Sequence, residues 1–203
     1  MSTPPPATPV APGHLLDLHG RCLDQSERLI ASVRPEQAAL PTPCTDYDVR
    51  SLVGHMIFAA RRVAAAGARR PIATEATSID ELPAADWAAA FGSAASDARS
   101  AWGGEGALDG NIELPFGTFP AAVVVQIYTI EQGTHAWDLA TAIGARQQLD
   151  EALGEAVLPL ALSAIRPEYR GGPPMPFGPE LEADPGARAY DRLAAFMGRR
   201  PGA

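Results

Sequence analysis

Apolar residues recur along this chain at helical spacing, in blocks that proline- and glycine-rich connectors cut apart. From about Gly13 to Val33, the positions Leu15, Leu18, Cys22, Leu29 and Val33 fall near one stripe. Arg34-Pro35 marks its end, because a proline ring pushes the residue before it out of the helical region. The connector LPTPCTDYD is extended and turn-rich. It ends in a cap signal: Asp48, or alternatively Thr45, can accept backbone N–H bonds at the start of a second helix. That helix runs to about Gly67, with Val49, Leu52, Val53, Met56 and Val63 on its apolar side. A third, roughly Ala84 to Trp102, is Ala-rich and anchored by Trp87 and Phe91. GGEGALDGNIELPFGTFP breaks the periodicity, and its IEL and GTF around Pro-Phe-Gly read as two short strands or a folded loop. A fourth helix begins near Pro120, which suits a first-turn position, and continues to Ile143, where Gly144 can cap it. A fifth covers about Asp150 to Ile165, and RAYDRLAAFMG closes the chain as a short amphipathic helix.

The expectation is an all-α protein: an up-down four-helix bundle over residues 13–147 with a long loop before the fourth helix. Residues 1–12 are Pro-rich and expected to be a disordered or extended tail. Residues 148–203 are expected to form a helical extension packed on the bundle. With 203 residues, 46% hydrophobic and 20% charged, the chain suits one soluble domain that buries a core without staples.

Charge removes several partners. The formal net charge is −8, and all sixteen basic residues are arginines with no clustered stripe, so nucleic acid and anionic membranes are not expected. Cys22 and Cys44 are too few for a disulfide framework and lack metal-finger spacing. MSTPPPATPVAPG has neither a basic n-region nor an apolar h-region, and no apolar run reaches membrane-span length, so a reducing cytoplasm is the expected setting. A homodimer is plausible at this size, though no apolar stripe demands one.

The chemistry concentrates in YTIEQGTHAWDLA. At about 100° per residue, Val124, Glu131 and Asp138 fall on nearly one line, and His135 stands about 40° to the side of Glu131. Tyr128 precedes Glu131 by one turn on the same broad face, whereas Trp137 points away from His135 and is a packing residue like Trp87. On the second helix His55 sits in the apolar run LVGHMIF, with Asp48 and Arg62 two turns before and after it. A carboxylate and an imidazole at i and i+4 can share one cation, and a second helix can add another imidazole. The resulting His2Glu set leaves a position open, as catalytic zinc sites do. A metal would also compensate a carboxylate in an apolar setting. The same spacing is compatible with ordinary hydrogen-bonded core residues, and spacing alone leaves both readings standing.

PTPCTDYDVRSLVGH, LPFGTFP and EQGTHAWDLATAIG, in that order, resemble the actinobacterial branch of the DinB-like superfamily, centred on mycothiol-dependent maleylpyruvate isomerase. FGPELEADPGARAYDRLAAFMGRRP is similar to the tail of its shorter members. The resemblance implies a four-helix bundle. It also implies a divalent metal, usually zinc, held by a His on the second helix and a Glu-x-x-x-His pair on the fourth, at positions matching His55, Glu131 and His135. Nickel, iron or manganese also suit two His and one Glu. It implies mycothiol as cosubstrate. The isomerase carries a larger C-terminal domain, and only residues 148–203 follow here, a departure that bears on the isomerase activity itself.

A coordinated thiol is deprotonated at neutral pH, and the thiolate is the reactive form. The expected chemistry is therefore attack of mycothiol's thiolate on an electrophilic small molecule, giving S-transfer or isomerisation. Asp138, one turn after His135, is expected to orient that imidazole. Tyr128, Arg62 and, less directly, Arg61 are candidates for binding substrate or thiol. Cys44 is expected to be small packing in the connector, so no nucleophile comes from the protein. Metal-assisted hydrolysis and a non-catalytic small-molecule or protein-binding bundle are the rival readings.

Overall fold

Six α-helices and one two-stranded hairpin make up the computed structural model, which describes residues 12–73, 79, 82–171 and 177–200. The expected tail over 1–12 lies outside the described residues apart from Pro12. So do residues 74–78, 80, 81, 172–176 and 201–203. The helices are α1 (Pro12–Ala31), α2 (Val49–Gly67), α3 (Trp87–Trp102), α4 (Ala121–Ala142), α5 (Glu151–Ala164) and α6 (Ala189–Phe196). Strands β1 (Asn111–Leu114) and β2 (Gly117–Pro120) pair antiparallel, Ile112 opposite Phe119 and Leu114 opposite Gly117.

Local chemistry sets the boundaries. Arg34 is extended ahead of Pro35, so α1 stops at Ala31, two residues short of the expected end. Asp48 caps α2 reciprocally: its side chain accepts from the Ser51 N–H at 2.8 Å, and the Ser51 hydroxyl accepts from the Asp48 N–H at 3.0 Å. Residues Ala84–Asp86 form a 3-10 turn after Pro83, so α3 begins at Trp87 rather than Ala84. Pro120 stands before α4 instead of in its first turn, because its backbone is still extended in β2 opposite Asn111. At the far end Gly144 takes a positive φ of 71°. The Ala145 N–H reaches the Ala140 carbonyl at 2.7 Å and the Gly144 N–H reaches Thr141, satisfying the last carbonyls of α4.

Helices α1 and α2 each pack on both α3 and α4, closing a ring in the order α1–α3–α2–α4. The directions differ from the expected up-down order. His19 meets Thr129 and, further along both helices, Ser26 meets Gln132, so α1 and α4 run parallel. Helices α2 and α3 are also parallel, since Arg50 lies over Trp87 and the Val63 carbonyl accepts from Trp102 Nε1. Arg99 bonds to Gly20 and Asp24 while Gly92 lies against Glu27, so α3 opposes α1. Sequence periodicity fixes which face of a helix is buried and carries no information about its direction. Helix α4 is buried on nearly every side, because α5 and α6 cover the part that α1 and α2 leave open. Among the described residues no helix is long and apolar enough to cross a membrane.

His19 is a buried polar group inside this ring, 3% exposed. The Thr129 hydroxyl donates to the Val125 carbonyl, so it accepts from His19 Nδ1 at 3.2 Å, and Nε2 has no partner among the described residues. Burial, reinforced by the Arg99 charge, lowers the His19 pKa from 6.5 to about 4. The folded state therefore binds this proton later than the unfolded chain does, and stability falls as pH drops from 6.5 towards 4. Urea unfolding should show wild type losing roughly 3 kcal/mol more than His19→Gln between neutral pH and pH 4. Equal losses in the two proteins would mean that His19 titrates alike in both states.

Candidate metal centre

The connector ahead of α2 folds tightly enough to bring its own side chains to the α2–α4 seam. The Thr42 hydroxyl lies 2.9 Å from the Cys44 carbonyl and 2.8 Å from that of Tyr47, and the Tyr47 N–H donates to the Cys44 carbonyl at 2.9 Å. The Asp48 cap then starts α2 with His55 two turns in, facing α4. Across the seam, His55 Nε2 is 2.6 Å from Glu131 Oε1, and His135 Nε2 is 3.4 Å from the same oxygen. One ligand atom from each of the three lies within 4.8 Å of the other two. The imidazole rings meet edge to face, with centroids 4.9 Å apart.

Both imidazoles aim Nε2 at Glu131 because each has Nδ1 engaged elsewhere. His55 Nδ1 lies 3.3 Å from the Tyr47 hydroxyl, and the two rings stack at 5.0 Å. His135 Nδ1 lies 3.0 Å from Asp138 Oδ2. Asp138 is fully buried and paired with Arg199 through both carboxylate oxygens. An ionised carboxylate only accepts, so His135 Nδ1 carries a proton and Nε2 faces the cluster. Imidazole metal ligands are fixed in this way by the bond their other nitrogen makes.

Electrostatics follow from the crowding. Burial works against the Glu131 carboxylate, but His135 and His55 outweigh it and hold its carboxyl well below the usual range. Burial disfavours the charged His135 ring, yet the Glu131 charge and the Asp138 hydrogen bond prevail and raise its pKa. Asp138 is lowered, burial being overcome by His135 and Arg199. The chain's own residues fit a cation here. Two ligand atoms on one tetrahedral zinc stand about 3.3 Å apart. His135 Nε2 meets that spacing at 3.4 Å from Glu131 Oε1, whereas His55 Nε2 at 2.6 Å makes a direct hydrogen bond that a shared cation would have to part. Glu131 and His55 keep 31% and 24% of their side chains exposed, so the cluster opens to solvent.

The remaining candidates are placed unevenly. Arg62 lies over the Phe58 ring at 5.2 Å, and its buried Nε has no hydrogen-bond partner among the described residues. Tyr128 is buried with its hydroxyl unpartnered among the described residues; burial pushes the phenol up, Arg62 pulls it down and Glu131 pushes it further up. Arg61 is exposed on the outer side of α2. Cys44 Sγ comes within 4.8 Å of His135 and Asp138, but Arg199 already occupies that carboxylate with a positive charge. Burial pushes the Cys44 thiol up, the direction opposite to a reactive thiolate. Trp137 turns away from the cluster, as expected, and donates to Asp191 at 2.9 Å. Two residues at the cluster carry no sequence signal of their role. Tyr47 belongs to the connector and not to the helical stripe, and Arg199 is one arginine among sixteen.

The family model of the mycothiol maleylpyruvate isomerase N-terminal domain matches residues 19–140. The chain belongs to that family. The matched segment holds His55, Glu131, His135 and Asp138 and ends before α5. An uncharacterized protein of Mycobacterium tuberculosis, from strains CDC 1551 / Oshkosh and ATCC 25618 / H37Rv, is 33% identical over 183 residues, which cover 89% of this chain and 95% of the relative. No solved structure matches. The mycothiol maleylpyruvate isomerase N-terminal domain is DinB-like, in agreement with the resemblance carried by the connector and α4 motifs.

Removing one partner of a buried ion pair leaves the other uncompensated, at a cost of roughly 3–5 kcal/mol. Asp138→Ala should therefore lower the Tm of chelator-treated protein by on the order of 10 °C in scanning calorimetry. An unchanged Tm would mean that Arg199 and His135 find water when Asp138 is gone.

Proposed function

We propose that this protein is a thiol-dependent metalloenzyme. In this reading the thiolate of mycothiol attacks an electrophilic small molecule, with S-transfer or isomerisation as the outcome. The convergence of His55 Nε2, Glu131 Oε1 and His135 Nε2 beside a solvent opening carries this reading. A divalent cation held by these three supplies a Lewis-acid position that favours a thiol's ionised form at neutral pH. Zinc suits two imidazoles and a carboxylate, and the same set could also hold nickel, iron or manganese.

The chain's own residues hold and orient. His55, Glu131 and His135 act as ligands and transfer no protons. Two neutral imidazoles and one carboxylate would leave a divalent ion with one net positive charge, so the site would favour an anionic partner such as a thiolate. Tyr47 and Asp138 keep the two Nε2 atoms turned inward. Tyr128 and Arg62, each with a buried polar atom unpartnered among the described residues, are the donor and cation offered to substrate or thiol, with Arg61 further out. Cys44 takes no part as nucleophile. The ring of α1–α4 supports a four-helix bundle over residues 13–147 with residues 148–203 as an extension on it. Two free cysteines suit a reducing cytoplasm.

Tag-free protein should carry about one equivalent of divalent metal by plasma mass spectrometry, and His135→Ala should carry almost none. With mycothiol present, wild type should consume a small electrophile, and chelator should abolish this. Full activity after chelation, or turnover that ignores the thiol, would overturn the reading.

A further inference from the structure

The carboxylate behind His135 is held from a distant part of the chain. Arg199 follows α6, more than fifty residues beyond the segment that matches the family. Its Nη2 donates to Asp138 Oδ2 at 3.0 Å and its Nε to Oδ1 at 3.2 Å, a two-pronged pairing. Among the described residues no other arginine bonds to Asp138. The arm that delivers it is fixed. The Arg199 N–H donates to the Ala194 carbonyl at 2.8 Å and Nη1 to Met197 at 2.9 Å. Gly198 turns the chain with a φ of 83°, and a Cβ there would stand 3.0 Å from the Pro179 carbonyl. The Leu181 N–H ties the incoming segment to Ala195 at 3.0 Å.

Asp138 Oδ2 therefore has two donors, Arg199 Nη2 and His135 Nδ1, both at 3.0 Å. The first decides where that oxygen sits, and the second takes its direction from the oxygen. Without the guanidinium, a buried carboxylate has only the imidazole to compensate it, and its orientation is no longer fixed from outside α4.

We propose that Arg199 is a positioning residue of the metal centre. It acts through Asp138 to hold the His135 ring with Nε2 toward Glu131 and His55, so the C-terminal segment sets how tightly a divalent cation is bound. This rests on the metal reading above, and the experiment separates the two.

Zinc affinity is measured by competition with a chromophoric chelator on the full chain, comparing wild type, Arg199→Met, Arg199→Lys and, as site control, His135→Ala. Losing such a contact behind a ligand weakens metal binding about 10- to 100-fold. Arg199→Met should show that loss. Arg199→Lys, which keeps the charge and loses the fork, should fall between. In metal-free protein, the His135 Nδ1–H bonded to a carboxylate should give a downfield proton resonance, assigned by its absence from His135→Ala. That resonance should be lost in Arg199→Met. Wild-type affinity in both Arg199 variants would overturn the proposal. If wild type takes up neither zinc nor nickel, iron(II) or manganese, the metal reading fails and the claim about cation affinity with it. The resonance then decides the orienting role alone, its loss in Arg199→Met upholding it and its survival sinking it. If Arg199→Met does not fold, Arg199→Lys decides, and unchanged affinity there counts against the proposal.

Discussion

A carboxylate drawn wholly or partly out of water has to be met by cations or donors, and α4 carries two of them two turns apart, Asp138 fully buried and Glu131 partly so. Glu131 is met by His55 and His135, and Asp138 by His135 and Arg199. One imidazole thus serves both carboxylates. The surrounding architecture follows from this arrangement. The connector must fold so that Tyr47 backs His55, the Asp48 cap must start α2 in the right register, and the segment after α6 must return to α4. A centre of this kind has little tolerance for rotation of α4. One residue of slip turns the helix by about 100° and takes Glu131 and His135 off the seam together.

The family match covers the part of the chain that supplies the cluster's inner residues, while the outer support comes from segments of different kinds. Tyr47 lies inside the matched region and Arg199 well outside it. The inner cluster residues thus lie on the matched framework, and the Arg199 support comes from the segment beyond it.

Much of the fold was legible in the sequence because its causes are local. The Asp48 cap, the strands around Pro115-Phe116-Gly117 and the Gly144 stop each depend on residues within a few positions. The pairing of Glu131 with His135 is equally local, being one helical turn, and His55 stands out as a polar residue in an apolar run. Helix direction was not legible, since a stripe reads the same either way up. Pro120 was misplaced because strand pairing with Asn111 outweighs the first-turn preference of proline. The support at Tyr47 and Arg199 was not legible either. Tyr47 sits in an irregular turn held by Thr42, and Arg199 reaches Asp138 across 61 positions by a route that no periodicity encodes.

The parallel run of α1 and α4 governs the order in which this protein can fold. His19 is 110 positions from Thr129, and Ser26 is 106 from Gln132. A chain emerging from its N-terminus presents the polar groups of α1 long before their partners exist, and α2, the next helix made, lies diagonally across the ring from α1. Neither local pairing nor an early helical hairpin can close this interior. Contacts this distant in sequence slow folding, because the loop entropy is lost before the contact forms. The fourth helix is therefore the keystone of assembly, and the seam between α2 and α4 takes shape only when the ring closes.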